Sequence, residues 1–297
     1  MFNMFFRFKL LIFTLLITSG CFSISDQEQL LSNYEKIPTD HSQCFEDITW
    51  SLNGKKLDET GFTLVSWNIY KGNKEGWEQD LLLLSKESDL ILLQEAYLTQ
   101  SLSQFLETTG YGWDMISAFR YKGIHAGVMT LGHTPPRERC AQRAYEPLAL
   151  LPKSSLVTYY PIRNTQQTLL VANIHAINFT LGTERYTEQL VEIKALLVQH
   201  KGPIVFAGDF NTWSDQREAV LDQIIGDERL GLLKVEFAST VEHLVWGHRL
   251  DHIFFRGLKV ISAEIIPVES SDHYPLKVHF EFISTPEIEQ ELEPTVN

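Results

Sequence analysis

Residues 203–213, PIVFAGDFNTW, place groups capable of acid–base chemistry directly after an apolar run. The first five residues predict a short buried strand, and Gly208 is predicted to end it in a tight turn. If the backbone stays extended, Asp209 and Asn211 project to one side and Phe210 to the other. A carboxylate beside an amide offers a proton acceptor next to a hydrogen-bond donor. The same residues are also typical of an ordinary turn, so the rest of the chain must decide between these interpretations.

Polar side chains stand at the ends of five further apolar runs. Each alone could be a turn former, a helix cap or a buried core residue. Strand ends from distant parts of a chain meet at one rim in barrels and sandwiches, however, and sites collect there. We therefore expect one site that contains Asn68 after LVSW, Glu95 after LILLQ, His175 after LLVANI, Asp251 at the start of DHIFF, and Asp272 and His273 before YPLKV.

The residue types at this rim suit metal-assisted hydrolysis of a phosphate ester. Hard cations prefer oxygen ligands, so Glu95, with Asp272 or Asn68 near it, could hold Mg²⁺, with Mn²⁺ as an alternative. A histidine beside an aspartate stays protonated and can bind an anion, which suits His273 with Asp251.

The remaining candidate residues cover the proton transfers of such a reaction. Asp209 could accept a proton from the attacking water, and Asn211 could hold a phosphoryl oxygen or orient that water. His175 could protonate the leaving oxygen.

The elements that must position these residues alternate without a strict βαβ rhythm. Helices are predicted over 74–85, with Trp77 and residues 81–84 facing inward, and over 99–107, 184–200 and 215–225. Strands are predicted over 62–69, 89–93, 127–131, 156–160, 168–174, 203–207, 250–255, 259–266 and 276–282. This pattern favours an α/β (α+β) sandwich of two mixed sheets packed face to face with helices outside, in one domain over residues 46–283.

Both ends of the chain differ from this domain in composition. Residues 1–24 are typical of an export signal, with Arg7 and Lys9 before an apolar run. The sequence TSGC resembles a lipoprotein cleavage site and makes Cys21 a candidate lipidated residue, with simple cleavage and an uncleaved anchor as alternatives. Residues 25–45 are predicted to be a linker and residues 284–297 an acidic disordered tail.

The cysteines also bear on the compartment. With Cys21 lipidated, Cys44 and Cys140 remain, and in an oxidising compartment they would form a disulfide. Two buried free thiols are the alternative. The expected location is the periplasm, the outer membrane or the outside of the cell.

Six sequence blocks together resemble the endonuclease/exonuclease/phosphatase superfamily. They occur in the family's order over residues 63–282: SWNIYKG, LLQEA, ANIHAINF, GDFN, RLDHIFF and SSDHYPL. The resemblance implies a four-layer α/β sandwich with its site at one rim. It implies that Glu95 is the principal metal ligand beside Asn68, with Asp272 near the metal. It implies that Asp209 is the base or the residue that orients the water, and that Asn211 and Asn178 contact the phosphate. It also implies that Asp251 pairs with His273 and that His175 stands where the deoxyribonuclease branch has histidine.

The substrate stays open between nucleic acid and a phospholipid head group. The net charge of −13 argues against non-specific binding of nucleic acid, and no Lys/Arg-rich loop with interleaved aromatic residues is present in the sequence. We expect an exported, monomeric phosphodiesterase or phosphomonoesterase, held at a membrane if Cys21 is lipidated. The alternative from another class is a non-catalytic binding protein that keeps the fold.

Overall fold

The computed structural model describes residues 22–26, 29–34, 44–46, 55–148, 151–238 and 244–283. Cys21 and residues 1–20 of the predicted signal lie outside the described residues, and so does the predicted tail over 284–297.

Fifteen strands and four α-helices form in this part of the chain. The strands are β1 (Phe22–Ser23), β2 (Gln29–Ser32), β3 (Cys44–Glu46), β4 (Gly61–Asn68), β5 (Leu90–Tyr97), β6 (Gly112–Tyr121), β7 (Ile124–Gly132), β8 (Glu138–Tyr145), β9 (Pro152–Pro161), β10 (Thr168–His175), β11 (Ile204–Asp209), β12 (Leu233–Lys234), β13 (Asp251–Arg256), β14 (Leu258–Ile265) and β15 (Leu276–Phe282). The helices are α1 (Trp77–Ser85), α2 (Gln100–Thr109), α3 (Glu184–Gln199) and α4 (Asp215–Ile225).

Two mixed sheets carry the fold, as predicted. One sheet has the order β1-β6-β7-β5-β4-β15-β14, with β2 also paired to β6, and the other has the order β12-β13-β11-β10-β9-β8-β3. The pairs β4–β5 and β10–β11 are parallel, while their other neighbours are antiparallel. Leu64 and Leu92 of the first sheet share one apolar cluster with Val171 and Val205 of the second. The predicted α/β sandwich is therefore confirmed.

The helices cover the outer faces of the two sheets. Leu190 and Ile193 of α3 pack with Leu170 and Phe206 on the outside of the second sheet. Helix α1 packs similarly against the first sheet through Leu81 and Leu84. Leu82 and Leu83 are 42% and 62% exposed, so the inward orientation predicted for the whole run 81–84 is wrong. A helix turns 100° per residue, and four consecutive residues cannot share one face.

Two strands were missed by sequence reasoning between residues 111 and 143. Strands β6 and β8 interrupt their apolar residues with polar ones such as Asp114 and Arg139, and these two form a buried ion pair at 2.6 Å. The mixed pattern obscures the strands because polar residues paired in the interior do not follow simple alternation of apolar and polar residues.

Gly208 does not end its strand, contrary to the sequence prediction. Strand β11 continues through it to Asp209, and Gly208 has a φ of +142°. A Cβ atom at this position would lie 2.0 Å from the carbonyl oxygen of Ile174 on β10. Glycine is therefore required for the close approach of two strands that both end at the candidate site.

The N-terminal segment is attached to the body of the protein by strands and a disulfide. Strands β1 and β2 pair with β6, and β3 pairs with β8 so that Cys44 lies opposite Cys140. These cysteines form the predicted disulfide, which joins positions 96 residues apart. Among the described residues, no helix has the length and apolar character needed to cross a bilayer.

Candidate active site

The predicted site residues lie at one edge of the sandwich because of strand direction. Asn68 ends β4, while His175 and Asp209 end the parallel strands β10 and β11, where they are register partners. Strand β13 runs antiparallel to β11, so its first residue, Asp251, lies opposite Asp209. Residues more than 180 positions apart in the sequence thereby meet at one rim.

Glu95 reaches the site through a β-bulge. The register of β5 against β7 shifts between Leu93 and Ala96, and Glu95 has a φ of +51°. A bulge re-aims a side chain and is frequent beside active sites. The Glu95 carboxylate accepts a hydrogen bond from Lys71 Nζ, and its Oε1 lies 3.9 Å from His175 Nε2. Lys71, which the sequence analysis missed, lies in a single 3₁₀ turn over Tyr70–Gly72.

Asp209 is the buried centre of the group. Its Oδ2 accepts from Asn68 Nδ2 at 3.0 Å and its Oδ1 accepts from the backbone N–H of Asn211 at 2.9 Å. Burial disfavours the charged carboxylate and raises the pKa of Asp209 to about 6, although the nearby His273 opposes this shift.

His273 and Asp251 form the expected pair. His273 Nδ1 lies 2.6 Å from Asp251 Oδ2, and His273 Nε2 faces Asp209 Oδ2 at 3.9 Å. Burial alone would lower the pKa of His273. The Asp251 carboxylate and its hydrogen bond outweigh burial, and with Asp209 and Asp272 they raise that pKa to about 10. His273 is therefore a stable cation at neutral pH.

His175 lies on the opposite side of Asp209, and it is neutral. Its Nε2 is 3.4 Å from Asp209 Oδ2 and 2.8 Å from Lys153 Nζ. Burial, followed by the charge of Lys153, holds the pKa of His175 well below its usual value. An ammonium group can only donate, so Nε2 accepts the hydrogen bond from Lys153. Sequence reasoning missed Lys153 because no motif surrounds this residue near the start of β9.

The two candidate phosphate contacts, Asn211 and Asn178, both have side-chain groups bonded to the protein. Asn211 has a φ of +50°, and its Nδ2 donates to Ala176 O at 2.9 Å. Asn178 Oδ1 accepts from Trp213 Nε1 at 2.8 Å, and its backbone N–H donates to Glu146 at 2.6 Å. Among the described contacts of Asn178, none involves Asp209, Glu95 or either site histidine.

Arg217 braces the loop that carries these asparagines. Its buried guanidinium donates to the carbonyl oxygens of Ile177 at 2.6 Å, Asn178 at 2.7 Å and Asn211 at 3.1 Å. It also lies 4.6 Å from the ring centroids of Tyr186 and Trp213. Arg217 lies six residues after Asn211, in the first turn of helix α4, and its side chain reaches back to the Asn211 carbonyl oxygen.

Asp272 lies at the margin of the cluster. It is half-buried, its Oδ1 is 3.5 Å from Ser271 Oγ, and its charge contributes to the raised pKa of His273. No contact joins it to Glu95 or Asn68 within the described ranges. His252, the neighbour of Asp251, faces away and contacts Thr212 Oγ1 at 2.8 Å.

The donor set fits a hard divalent cation. Glu95 offers a carboxylate with 18% of its side chain exposed, and the Asn68 amide lies at the end of the neighbouring strand. The Glu95 carboxylate accepts a hydrogen bond from the Lys71 ammonium, a contact typical of an anion that attracts positive charge. One or two protein oxygens plus water and substrate oxygens are the usual environment of Mg²⁺.

A buried polar bridge supports the site from beneath. Gln94 Nε2 donates to Asn173 Oδ1 at 2.8 Å across the two sheets, and Asn173 Nδ2 donates to Met129 O at 3.0 Å. Gln94 directly precedes Glu95 in the sequence, and Asn173 lies two residues before His175. The bridge therefore fixes the spacing of the strands that carry Glu95 and His175. The LLQEA and ANIH blocks contain both residues, but sequence reasoning gave neither a function.

Comparisons with known proteins agree with this fold. The model of the Endonuclease/Exonuclease/phosphatase family matches residues 65–273. A UPF0294 protein of Vibrio parahaemolyticus is 39% identical over 261 residues, which are 87% of this chain and 90% of that protein.

Solved structures share the fold at low sequence identity. The human Nocturnin catalytic domain with bound sulfate is 18% identical with a TM-score of 0.58, over 78% of this chain and 97% of that chain. The 2′,3′-cyclic phosphatase ANGEL2, in complex with adenosine-2′,3′-vanadate, is 17% identical with a TM-score of 0.55, over 77% of this chain and 98% of that chain.

Proposed function

This chain belongs to the endonuclease/exonuclease/phosphatase family, and on that premise we propose that it is a divalent-metal-dependent phosphoesterase that hydrolyses a phosphodiester or phosphomonoester. The observation that carries the proposal is the environment of Asp209. This buried carboxylate lies between His175 and His273, at 3.4 and 3.9 Å, and Glu95 lies 3.9 Å beyond His175.

Asp209 is suited to accept the proton of the attacking water. A general base works best when its pKa lies near the working pH, and burial raises the pKa of Asp209 to about 6. Asn68 and the backbone N–H of Asn211 hold one oxygen each. The carboxylate is thereby fixed in position before substrate arrives, as preorganised catalysis requires.

His273 is suited to bind an anionic phosphoryl oxygen. Asp251 keeps it protonated, so its Nε2–H is a charge-assisted donor at the edge of the cluster. Lys153 and His175 form the opposite side. Because His175 Nε2 accepts a hydrogen bond from Lys153, we assign the proton for the leaving oxygen to this pair and not to His175 alone.

Glu95 and Asn68 would hold the divalent cation, with Asp272 near it. A bound Mg²⁺ would neutralise charge that develops on the phosphoryl oxygens during hydrolysis.

Turnover of bis-p-nitrophenyl phosphate tests the proposal. Activity should vanish in EDTA and return with Mg²⁺, and Glu95→Gln should lower kcat/KM by about 100-fold or more, as loss of a preorganised electrostatic group does. Glu87→Gln is the matched control, because Glu87 is exposed and pairs with Lys277 on the surface. Full activity of Glu95→Gln would reject the assigned site. No turnover of any phosphate ester would favour the non-catalytic binding protein.

The disulfide between Cys44 and Cys140 supports a location outside the cytoplasm, where such bonds persist. We propose that residues 1–24 direct export, that residues 46–283 form the catalytic domain, and that Cys21 is lipidated. Labelled palmitate incorporation that depends on Cys21 tests the anchor, and absence of label would reject it.

A further inference from the structure

A cleft opens beside the 3₁₀ turn that carries Lys71. It measures about 190 Å³, and its wall includes Lys71, Trp77, Tyr97, Thr99 and Ser101. Lys71 also contacts the Glu95 carboxylate, so the cleft is one side chain away from the candidate metal ligand. We call this the Lys71 cleft.

The wall on the Lys71 side is held in an unusual backbone conformation. Tyr70, Lys71 and Gly72 have φ values of +52°, +58° and +66°. Left-handed conformations in non-glycine residues cost free energy and concentrate at ligand sites. Gly72 also allows the Trp77 indole to pack against the turn, since a Cβ there would lie 2.9 Å from Trp77 Nε1. The turn thereby brings an aromatic ring and an ammonium group to the same cleft.

The size and polarity of the cleft restrict its occupant. Pockets for drug-sized ligands measure about 300–1,000 Å³, so this one accommodates a single ring system and not a diacylglycerol. Aromatic walls also bind quaternary ammonium groups, but the Lys71 ammonium would repel choline. A planar neutral ring attached to a phosphate can stack on the aromatic rings, form hydrogen bonds with the hydroxyl groups and place its phosphate near the cation.

A second observation extends this chemistry along the same edge. Tyr97 ends β5 and Tyr121 ends β6, and both strands pair with the start of β7, Tyr97 opposite Ala126 and Tyr121 opposite Ile124. Lys122 Nζ lies 5.2 Å from the centroid of the Tyr121 ring. Alternating aromatic rings and cations are the arrangement that binds single-stranded nucleic acid, because bases stack on rings and phosphates follow the positive charges. Here they occur in a chain with a net charge of −13.

We propose that the Lys71 cleft is a base-binding subsite, in which Tyr97 and Trp77 hold a nucleobase of a single-stranded nucleic acid next to the phosphate to be hydrolysed. The proposal rests on the proposed phosphoesterase function and specifies its substrate class.

A pair of oligonucleotides with equal charge tests the subsite. One is an eight-nucleotide oligothymidylate, and the other has the same backbone with every base replaced by hydrogen. Cleavage is measured as kcat/KM with Mg²⁺, and binding is measured by fluorescence anisotropy in EDTA, so that the subsite is tested even without catalysis. The variants are Tyr97→Ala and Tyr97→Phe. Tyr145→Ala is the matched control, since Tyr145 is a 55% exposed aromatic residue of the other sheet.

Base stacking on an aromatic side chain predicts that wild type prefers the oligothymidylate by about 5- to 150-fold. Tyr97→Ala should lose most of that preference, whereas Tyr97→Phe and Tyr145→Ala should keep it. Equal binding and cleavage of both oligonucleotides by wild type would overturn the subsite. Hydrolysis of bis-p-nitrophenyl phosphate or release of phosphocholine without such a preference would overturn it while leaving the phosphoesterase intact. Loss of all phosphoesterase activity with the binding preference retained would reject only the catalytic function.

Discussion

The pair formed by Asp251 and His273 yields a prediction that can be measured without substrate. Asp251→Asn keeps the size of the side chain and an oxygen acceptor but removes the charge 2.6 Å from His273 Nδ1. An opposite charge at this distance shifts a pKa by about 1–3 units. The pKa of His273, about 10 in the intact pair, should therefore fall by that amount. The groups that remain around His273 are Asp209 and Asp272, which raise its pKa, and its burial, which lowers it.

The same pair makes stability depend on pH. Because the folded pKa of His273 lies above its unfolded value, its contribution is complete below about pH 6.5 and is lost as pH rises through about 10. Wild type should lose about 3 kcal/mol of unfolding free energy from this group between pH 6 and pH 9. Asp251→Asn should lose less unfolding free energy over the same pH range.

Two measurements in EDTA check these values. NMR titration of the His273 ring reports its pKa, and urea unfolding at pH 6 and pH 9 reports the stability change. Asp58→Asn serves as a control, because Asp58 is an exposed aspartate that pairs with Arg163 at the surface. A His273 pKa that moves by less than about half a unit in Asp251→Asn would refute the assignment of the raised pKa to this pair.

Two further predictions concern the support of the site. Cys140→Ser should destabilise the protein by about 4–5 kcal/mol, since the Cys44–Cys140 disulfide joins positions 96 residues apart. Urea unfolding with and without reductant measures this change. Equal stability of the reduced and oxidised wild type would contradict the prediction. Arg217→Met should cost about 3–5 kcal/mol and lower kcat, because it leaves three carbonyl oxygens without their buried donor. The control Arg185→Met removes only an exposed pair with Glu188, and equal effects of the two arginine variants would show that Arg217 has no special function.

Apolar runs and the polar residues at their ends were enough to predict most of the buried strands and the residues of the candidate site. The buried strands around Leu64, Leu92, Val171 and Val205 were recognisable because continuous burial requires continuous apolar sequence. Strand β15 has the predicted limits, Leu276–Phe282. The pairing of Asp251 with His273 was also expected from residue type and family resemblance.

Strands with buried polar residues were harder to predict. In β6 and β8, Asp114 and Arg139 form an ion pair inside the protein, and neither residue alone indicates a strand. Gly208 was assigned to a turn because the sequence does not show that the carbonyl oxygen of Ile174 on β10 lies 2.0 Å from where its Cβ would be.

The sequence by itself determined the two-sheet sandwich and the set of carboxylates, amides and histidines at its edge, because local burial patterns and residue chemistry are written along the chain. Only the tertiary structure decided which cations join them. Lys71 reaches Glu95 across a left-handed turn, and Lys153 reaches His175 from a neighbouring strand. A lysine side chain has no sequence signature for its partner, since its long flexible stem lets it pair with whatever carboxylate or imidazole the fold brings near.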